Sequence, residues 1–322
     1  MDAAELSAAL EASLRERLAC PSARVESLAR LSAGASRQTW SFELHDEEPG
    51  TVRELILQRE RRGGGSGPGM AVEADLMRAA ARAGVPVPSV IATGDELGGA
   101  FVVTQRIEGE TIPRKLLRDD RFSAVRPHLA SDAGAALAAI HTIPIESFEG
   151  RLDQRDQVDQ CREILDVLGE PHPAFELGFR WLERNRPPRR APTVVHGDFR
   201  NGNLIVGPDG LRAVLDWELA HLGDPVEDLG WFCVRAWRFG SPHRAGGFGP
   251  VEDLVERYRS VSGEDIDLDV VRWWEVMGTL KWGVICMVQA AAHLTGATRS
   301  VELATIGRRT AENEHDLLEL IR

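Results

Sequence analysis

The chain is poor in cysteine, and its few cysteines follow no ligand pattern. Cys20, Cys161, Cys233 and Cys286 are spread over 322 residues with no CxxC pair among them. This excludes a disulfide framework and a cysteine-based zinc site, because both need clustered cysteines. Widely spaced thiols are typical of reduced cysteines, so we expect a cytoplasmic protein.

An excess of basic residues is also missing. The net charge is −12, with 38 Lys and Arg against 50 Asp and Glu. A nucleic-acid partner needs a basic face, so the composition disfavours DNA or RNA binding. It does not indicate an oligomeric state.

No apolar run is long enough to predict a membrane span. The longest, Val276 to Ala292, contains Lys281 and Gln289, whereas a spanning helix needs about 20 apolar residues. A buried core helix is therefore expected, with no membrane partner. The N-terminus is acidic and amphipathic, unlike a signal peptide.

Hydrophobic periodicity divides the chain into two regions. Leu6, Leu10, Leu14 and Leu18 predict an N-terminal helix that is capped by Asp2 and Glu5. A hairpin over residues 28–44, a strand over 53–60, a helix from residue 70 and further strands follow. Residues 1–107 are therefore expected to form a strand-rich unit, and residues 108–322 a mostly helical one. The predicted fold class is α+β.

Acidic and amide side chains stand beside apolar strands between Val194 and Pro225. The segments NLIV and LRAVLDW flank the turn GPDG. In the simplest hairpin register, Val206 faces Leu211 and Asn203 faces Val214. Asn203 and Asp216 then meet at one end, and Asp198 lies on the loop that enters it. Oxygen ligands of this kind suit Mg²⁺, and a further Asp suits proton transfer.

Two motifs in this segment resemble a known family. The sequence HGDFRNGNLIV, followed by LDWELAHLGDP, resembles the aminoglycoside phosphotransferase family, which has a protein-kinase-like fold. LSAGASRQTWSF and WWEVMGTLKWGVICM resemble the branch that includes the kinase-like domain of acyl-CoA dehydrogenase family members 10 and 11. The resemblance implies a bilobal molecule with a small antiparallel-sheet N-lobe and a larger helical C-lobe.

The resemblance also implies the cofactors, ATP and Mg²⁺, and a role for each site residue. Asp198 would be the catalytic base, and Asn203 and Asp216 would bind the metal. His196, Arg200 and Asp224 would support the site. The residues expected to contact the nucleotide are Ser32, Gly34, Ala35, Ser36, Arg59, Glu73, Gln105 and Ile107.

The third strand departs from the kinase pattern, because LILQRE carries no lysine. Arg59 is the expected phosphate-binding cation, with Glu73 orienting it. Gln58 is the neighbouring alternative, since a strand register that differs by one residue exchanges the two faces.

Several functions fit these residues. The leading interpretation is a kinase that phosphorylates a hydroxyl of a small molecule, with a hydroxyacyl-CoA or hydroxy acid as acceptor. Aminoglycosides, macrolides and amino alcohols are alternative acceptors. An alternative of another class is a nucleotide-binding regulator without transferase activity.

Overall fold

The computed structural model describes residues 1–32, 37–45, 52–60 and 67–322. The predicted N-terminal helix is α1 (Ala3–Arg17), and its capping box joins Asp2 and Glu5 as expected. Five strands follow: β1 (Arg24–Ser32), β2 (Arg37–His45), β3 (Val52–Glu60), β4 (Val90–Gly94) and β5 (Phe101–Gln105). They form one antiparallel sheet in the order β1-β2-β3-β5-β4. Helix α2 (Met70–Arg82) connects β3 to β4.

The sheet has two different faces, and α1 covers one of them. Leu6, Leu10 and Leu14 pack with Leu55 and Leu57 in a buried apolar cluster. Because successive side chains of a strand point to opposite faces, Ile56 and Gln58 lie on the other face. That second face borders the cleft beneath the sheet.

The remainder of the chain is mostly helical. Its helices, in chain order, are α3 (Pro113–Arg118), α4 (Leu129–Ile140), α5 (Gln157–Leu168), α6 (Pro173–Arg184), α7 (Val226–Cys233), α8 (Val251–Ser262), α9 (Leu268–Leu294), α10 (Val301–Gly307) and α11 (Thr310–Ile321). Two short antiparallel pairs interrupt them: β6 (Thr193–Val195) with β9 (His221–Gly223), and β7 (Leu204–Gly207) with β8 (Gly210–Val214). The strand-rich and helical parts together give the expected bilobal kinase-like α+β fold.

The apolar run from residue 276 forms the buried helix that the sequence predicts. It belongs to α9, where Val276, Leu280 and Met287 are buried in a cluster with Phe175 and Phe179 of α6. Across the described ranges, none of the helices combines the length and apolar character that crossing a bilayer requires.

Candidate active site

The loop after β6 is anchored to α7 by one buried carboxylate. Asp228 accepts hydrogen bonds from the backbone N–H groups of His196 (2.8 Å) and Gly197 (2.9 Å). His141 Nε2 lies 3.1 Å from the same carboxylate. Burial acts to raise the pKa of Asp228, but the bond to His141 and these contacts leave it below its ordinary value. The charged carboxylate therefore fixes the backbone just before Asp198.

His196 joins this loop to Leu215, the residue before Asp216. Its Nδ1 accepts the backbone N–H of Asp198 (3.2 Å), so its Nε2–H donates to the carbonyl of Leu215 (3.0 Å). Complete burial lowers the pKa of His196, which favours the neutral ring. The residue thus has the supporting position that the sequence predicts.

The Asp198 carboxylate is buried and accepts hydrogen bonds from three side chains. Asn203 Nδ2 donates to Oδ2 at 2.6 Å, and Trp231 Nε1 donates to Oδ1 at 3.0 Å. Arg200 Nε lies 3.1 Å from both oxygens. Burial raises the pKa of Asp198, which makes the carboxylate a stronger proton acceptor.

The β7–β8 hairpin places Asn203 and Asp216 at one end, although its register differs from the simplest one. Val206 faces Leu211 as expected, but a bulge between Ile205 and Val206 pairs Leu204, not Asn203, with Val214. Asn203 instead accepts the backbone N–H of Leu215 at 2.8 Å. Asp216 follows in a left-handed conformation with φ of 67°.

Asn203 and Asp216 both line a cavity of about 700 Å³ between the sheet and the helical part. The Asn203 Nδ2 group is held by Asp198, which leaves its Oδ1 as a potential ligand. An amide oxygen and a carboxylate are hard donors that suit Mg²⁺ when phosphate oxygens complete the coordination. The residues therefore fit a magnesium ion. Gln105 and Ile107, predicted to contact the nucleotide, line the same cavity.

The predicted position of Arg59 is wrong. Its guanidinium lies on the α1 side of the sheet, where it donates to the Leu97 carbonyl (2.7 Å) and to Gln38 Oε1 (2.5 Å). Gln58 lines the cleft instead. The register was misassigned by one residue, because Leu55 and Leu57 turn toward α1 and Arg59 follows their alternation.

Glu73 lies on α2 as expected and is buried there, but its partner is Arg37 of β2. The two side chains form a bidentate ion pair with N–O distances of 2.7 and 2.5 Å. Of the other predicted phosphate contacts, Ser32 ends β1, and its backbone pairs with Thr39. Gly34, Ala35 and Ser36 lie outside the described residues.

Asp224 lies apart from the cleft. Its carboxylate accepts the backbone N–H of Val226 at 2.9 Å, at the beginning of α7. It lines a different cavity, beside His221 and Arg190. Asp224 therefore contacts the beginning of the helix that carries Asp228 and Trp231, and not the cleft itself.

Two tryptophans near Asp198, Trp231 and Trp237, were not predicted from the sequence as part of the site. The Trp237 ring packs at a tilt beside Trp231, with 5.2 Å between the ring centroids, and the Arg200 guanidinium lies 5.1 Å from the Trp237 ring. Helical spacing offered a signal for Trp231, because residues three apart share a helix face and Asp228 already contacts the loop. Trp237 carried no comparable local signal.

Another cavity, of about 800 Å³, lies next to Trp237. Arg235, Ala236, Arg238 and Phe239 line it from the segment around this tryptophan. The other lining residues include Arg114, Arg309, Glu312 and Asp316. Four arginines against two lining carboxylates, with the buried Glu275 paired to Arg238, leave an excess of positive charge at its walls.

Comparison with known proteins places the chain in a family. The pattern of the phosphotransferase enzyme family matches residues 27–274. Mouse acyl-CoA dehydrogenase family member 10 is 29% identical over 241 residues, which is 70% of this chain and 22% of that protein. The chain thus spans about a fifth of that relative. The aminoglycoside 3'-phosphotransferase of Streptomyces fradiae is 29% identical over 58% of this chain and 71% of its own length.

Solved structures show the same fold. A candidate aminoglycoside phosphotransferase from Ralstonia eutropha superposes with a TM-score of 0.72 at 22% identity, covering 98% of this chain and 97% of its own. A choline/ethanolamine kinase family protein from Mesorhizobium loti gives a TM-score of 0.64 at 19% identity, over 98% and 95% of the two chains. The family pattern covers most of the chain and includes the site around Asp198, so this protein belongs to the phosphotransferase enzyme family.

Proposed function

We propose that the protein is an ATP- and Mg²⁺-dependent kinase that phosphorylates a hydroxyl group of a small molecule. The observation that carries this proposal is the buried Asp198 carboxylate, held by Asn203 at 2.6 Å, at the end of the cleft where Asp216 also lies. Residues 1–107 would bind the nucleotide, and residues 108–322 would supply the catalytic loop and the acceptor site. The proposed place of action is the cytoplasm.

Each residue of the site has a distinct task in the proposed reaction. The acceptor hydroxyl gives its proton to Asp198. The hydroxyl oxygen bonds to the γ-phosphorus, and the bond between that phosphorus and the ADP oxygen breaks. Asn203 and Asp216 would hold Mg²⁺, which neutralises charge on the phosphates when bound. Arg200, His196 and Asp228 fix the geometry of the Asp198 loop, so positioning and electrostatics account for most of the rate.

For the acceptor, we propose an anionic hydroxy compound, a hydroxy acid or a hydroxyacyl-CoA. The support is the cationic cavity beside Trp237, whose neighbour Trp231 contacts Asp198. Arg235 and Arg309 are paired with Asp316 and Glu312, at 3.0 and 3.1 Å. Arg238 is paired with the buried Glu275. Arg114 has no acidic partner within 4 Å in the described part of the chain, so its guanidinium is available to an anion. Cationic walls disfavour a polycationic aminoglycoside.

A phosphotransfer screen tests the function and the acceptor class together. The purified protein is incubated with Mg-ATP and hydroxy acids, hydroxyacyl-CoAs, aminoglycosides, macrolides or amino alcohols, and ADP release is measured. We expect turnover with an anionic acceptor. Arg114→Gln should raise the KM of that acceptor about tenfold, the loss of one charged hydrogen bond. Arg180→Gln, at an exposed arginine of α6 that lines neither the cleft nor the cavity beside Trp237, should leave KM unchanged.

Two other outcomes would redirect the assignment. Turnover confined to aminoglycosides, macrolides or amino alcohols would keep the kinase and reject the anionic acceptor. Mg-ATP binding without turnover on any acceptor would favour the nucleotide-binding regulator. The position of Gln58 in the cleft is the feature that supports that alternative, because it leaves β3 without a phosphate-binding cation there.

A further inference from the structure

The wall of the cleft that β3 provides carries no positive charge. Ile56 and Gln58 face the cavity from this strand, next to Thr104 of β5. Neither of the two lysines of the chain, Lys115 and Lys281, belongs to the sheet. Arg106 also lines the cavity, but it lies beyond the end of β5 and pairs with Glu54 at 3.4 Å. Within the described residues, β3 therefore does not supply the cation expected at the nucleotide phosphates.

Arg37 stands on the same face of the sheet as Gln58, one strand away. Thr39 pairs directly with Gln58 and lines the cleft, and Arg37 lies two residues before Thr39. Residues two apart on a strand share a face, so Arg37 faces the cleft. The intervening Gln38 points to the α1 side, where it contacts Arg59.

The Arg37 guanidinium is fixed between carboxylates of both parts of the molecule. Besides the bidentate pair with Glu73, its Nη2 lies 3.5 Å from Glu218 Oε2. Only 14% of the Arg37 side chain and 5% of the Glu73 side chain are exposed. Asp216, two residues before Glu218, is close enough for its charge to act on Arg37. Arg37 thus lies between the helical Glu and the proposed metal-binding Asp.

We propose that Arg37 of β2, oriented by Glu73, is the cation that contacts the nucleotide phosphates, and that it replaces the basic residue that β3 lacks. The inference rests on the proposed function, because it requires that the chain binds Mg-ATP. A guanidinium has five N–H donors, and Glu73 engages two of its terminal nitrogens, so donors remain for phosphate oxygens. Arg37 would then be a second residue of the site in direct contact with a substrate.

Nucleotide binding to matched variants tests this assignment. We expect Arg37→Gln to weaken Mg-ATP and Mg-ADP about 10- to 100-fold, as for loss of charged hydrogen bonds, with adenosine affinity unchanged. Arg59→Gln is the matched control, because it removes a guanidinium and its hydrogen bonds to the Leu97 carbonyl and Gln38 from the opposite face of the same sheet. It should leave all three affinities unchanged. Thermal unfolding of each variant verifies that it is folded.

A relocated charge gives a second, independent readout. In the double variant Arg37→Gln with Gln58→Lys, the cation returns to β3 on the same face, and we expect it to recover at least part of the Mg-ATP affinity. Arg37→Lys, which keeps the charge without the bidentate geometry, should fall between wild type and Arg37→Gln and serves where Arg37→Gln does not fold.

The possible results separate the two proposals. Wild-type affinity for Mg-ATP in Arg37→Gln, or an equal loss of adenosine affinity, overturns the role of Arg37 while the kinase proposal stands. Failure of the wild-type protein itself to bind Mg-ATP overturns both. Turnover is not needed for any of these measurements, so a binding protein without transferase activity would still give a decision on Arg37.

Discussion

The indole N–H of Trp231 donates to Asp198 Oδ1 at 3.0 Å, from a helix that also supplies Asp228 to the backbone of the same loop. One turn of α7 therefore fixes both the position of the loop and the direction of its carboxylate. The indole is 2% exposed, so water cannot easily replace this bond.

Trp231→Phe should reduce kcat about tenfold, because it removes one hydrogen bond that orients the charged Asp198 carboxylate. Mg-ATP affinity should be unchanged, since the indole lies away from the nucleotide cavity. The control is Trp273→Phe, which removes a buried indole bond to the Leu182 carbonyl (3.0 Å) far from the site. Equal kcat losses in the two variants would show that Trp231 contributes packing only.

Asp198→Asn should reduce kcat at least about 100-fold, the scale of a general base, and retain nucleotide affinity. The amide keeps the size of the side chain but cannot take the hydroxyl proton. Single-turnover phosphotransfer together with nucleotide titration measures the two effects separately. Turnover near the wild-type rate would remove Asp198 from the mechanism.

Asp216→Asn should raise the Mg²⁺ concentration needed for nucleotide binding about tenfold or more, because one carboxylate ligand loses its charge. Asn tolerates the left-handed backbone at φ of 67°, so the fold should be retained. Asp216→Ala should abolish the Mg²⁺ dependence and also lower the free energy of unfolding by about 1 kcal/mol through backbone strain. Titration of Mg²⁺ at fixed nucleotide, with denaturant unfolding alongside, checks both variants.

A buried charge cluster behind the site gives a prediction on pH. Glu227 contacts Lys281 and His221, each at 3.0 Å. Burial acts to raise the pKa of Glu227, but the charges of His221 and Lys281 hold it at about 2, below the ordinary 4.5. Its contribution to the free energy of unfolding is therefore complete above pH 4.5 and lost as the pH falls toward 2.

The free energies of unfolding of wild type and Glu227→Gln, measured with denaturant, should accordingly differ more above pH 4.5 than in acid, and should converge as the pH falls toward 2. His221 acts in the opposite direction: Glu227 raises the pKa of His221 against the effect of burial, so the contribution of His221 to the free energy of unfolding is lost as the pH rises.

Lys281→Met should lower the free energy of unfolding by about 3–5 kcal/mol, because it leaves Glu227 without its cation. The double variant Glu227→Gln with Lys281→Met should lose less than the sum; strict additivity would contradict the coupling.

Local patterns predicted much of this site correctly in position. Asp198, Asn203 and Asp216 lie within 19 residues of one another along the chain, and a single hairpin brings them together whatever its detailed register. The bulge in β7 was invisible because it changes pairing without changing the apolar pattern. The capping pair of α1 was predictable for the same reason as the hairpin: both ends of the interaction lie within one turn.

Long-range relationships could not be predicted in the same way. The face of Arg59 depends on where α1 packs, and strand alternation alone cannot say which face that helix covers. Arg37 and Glu73 are 36 residues apart, and either one alone is an ordinary charged residue. The arginines beside Trp237 come from α3, the segment after α7 and the beginning of α11, which only the folded chain brings together.

The pairing of β2 with β3 has a consequence for how such proteins are recognised. Arg37, Thr39 and Gln58 share one face of the sheet because their strands alternate in phase. The architecture thereby offers two places from which a positive side chain can enter the same space. A search that requires a basic residue on the cleft-facing side of the third strand would discard this chain as inactive, although Arg37 stands on that face of the neighbouring strand. The property to look for is a basic side chain on the cleft-facing side of the sheet, whichever strand carries it.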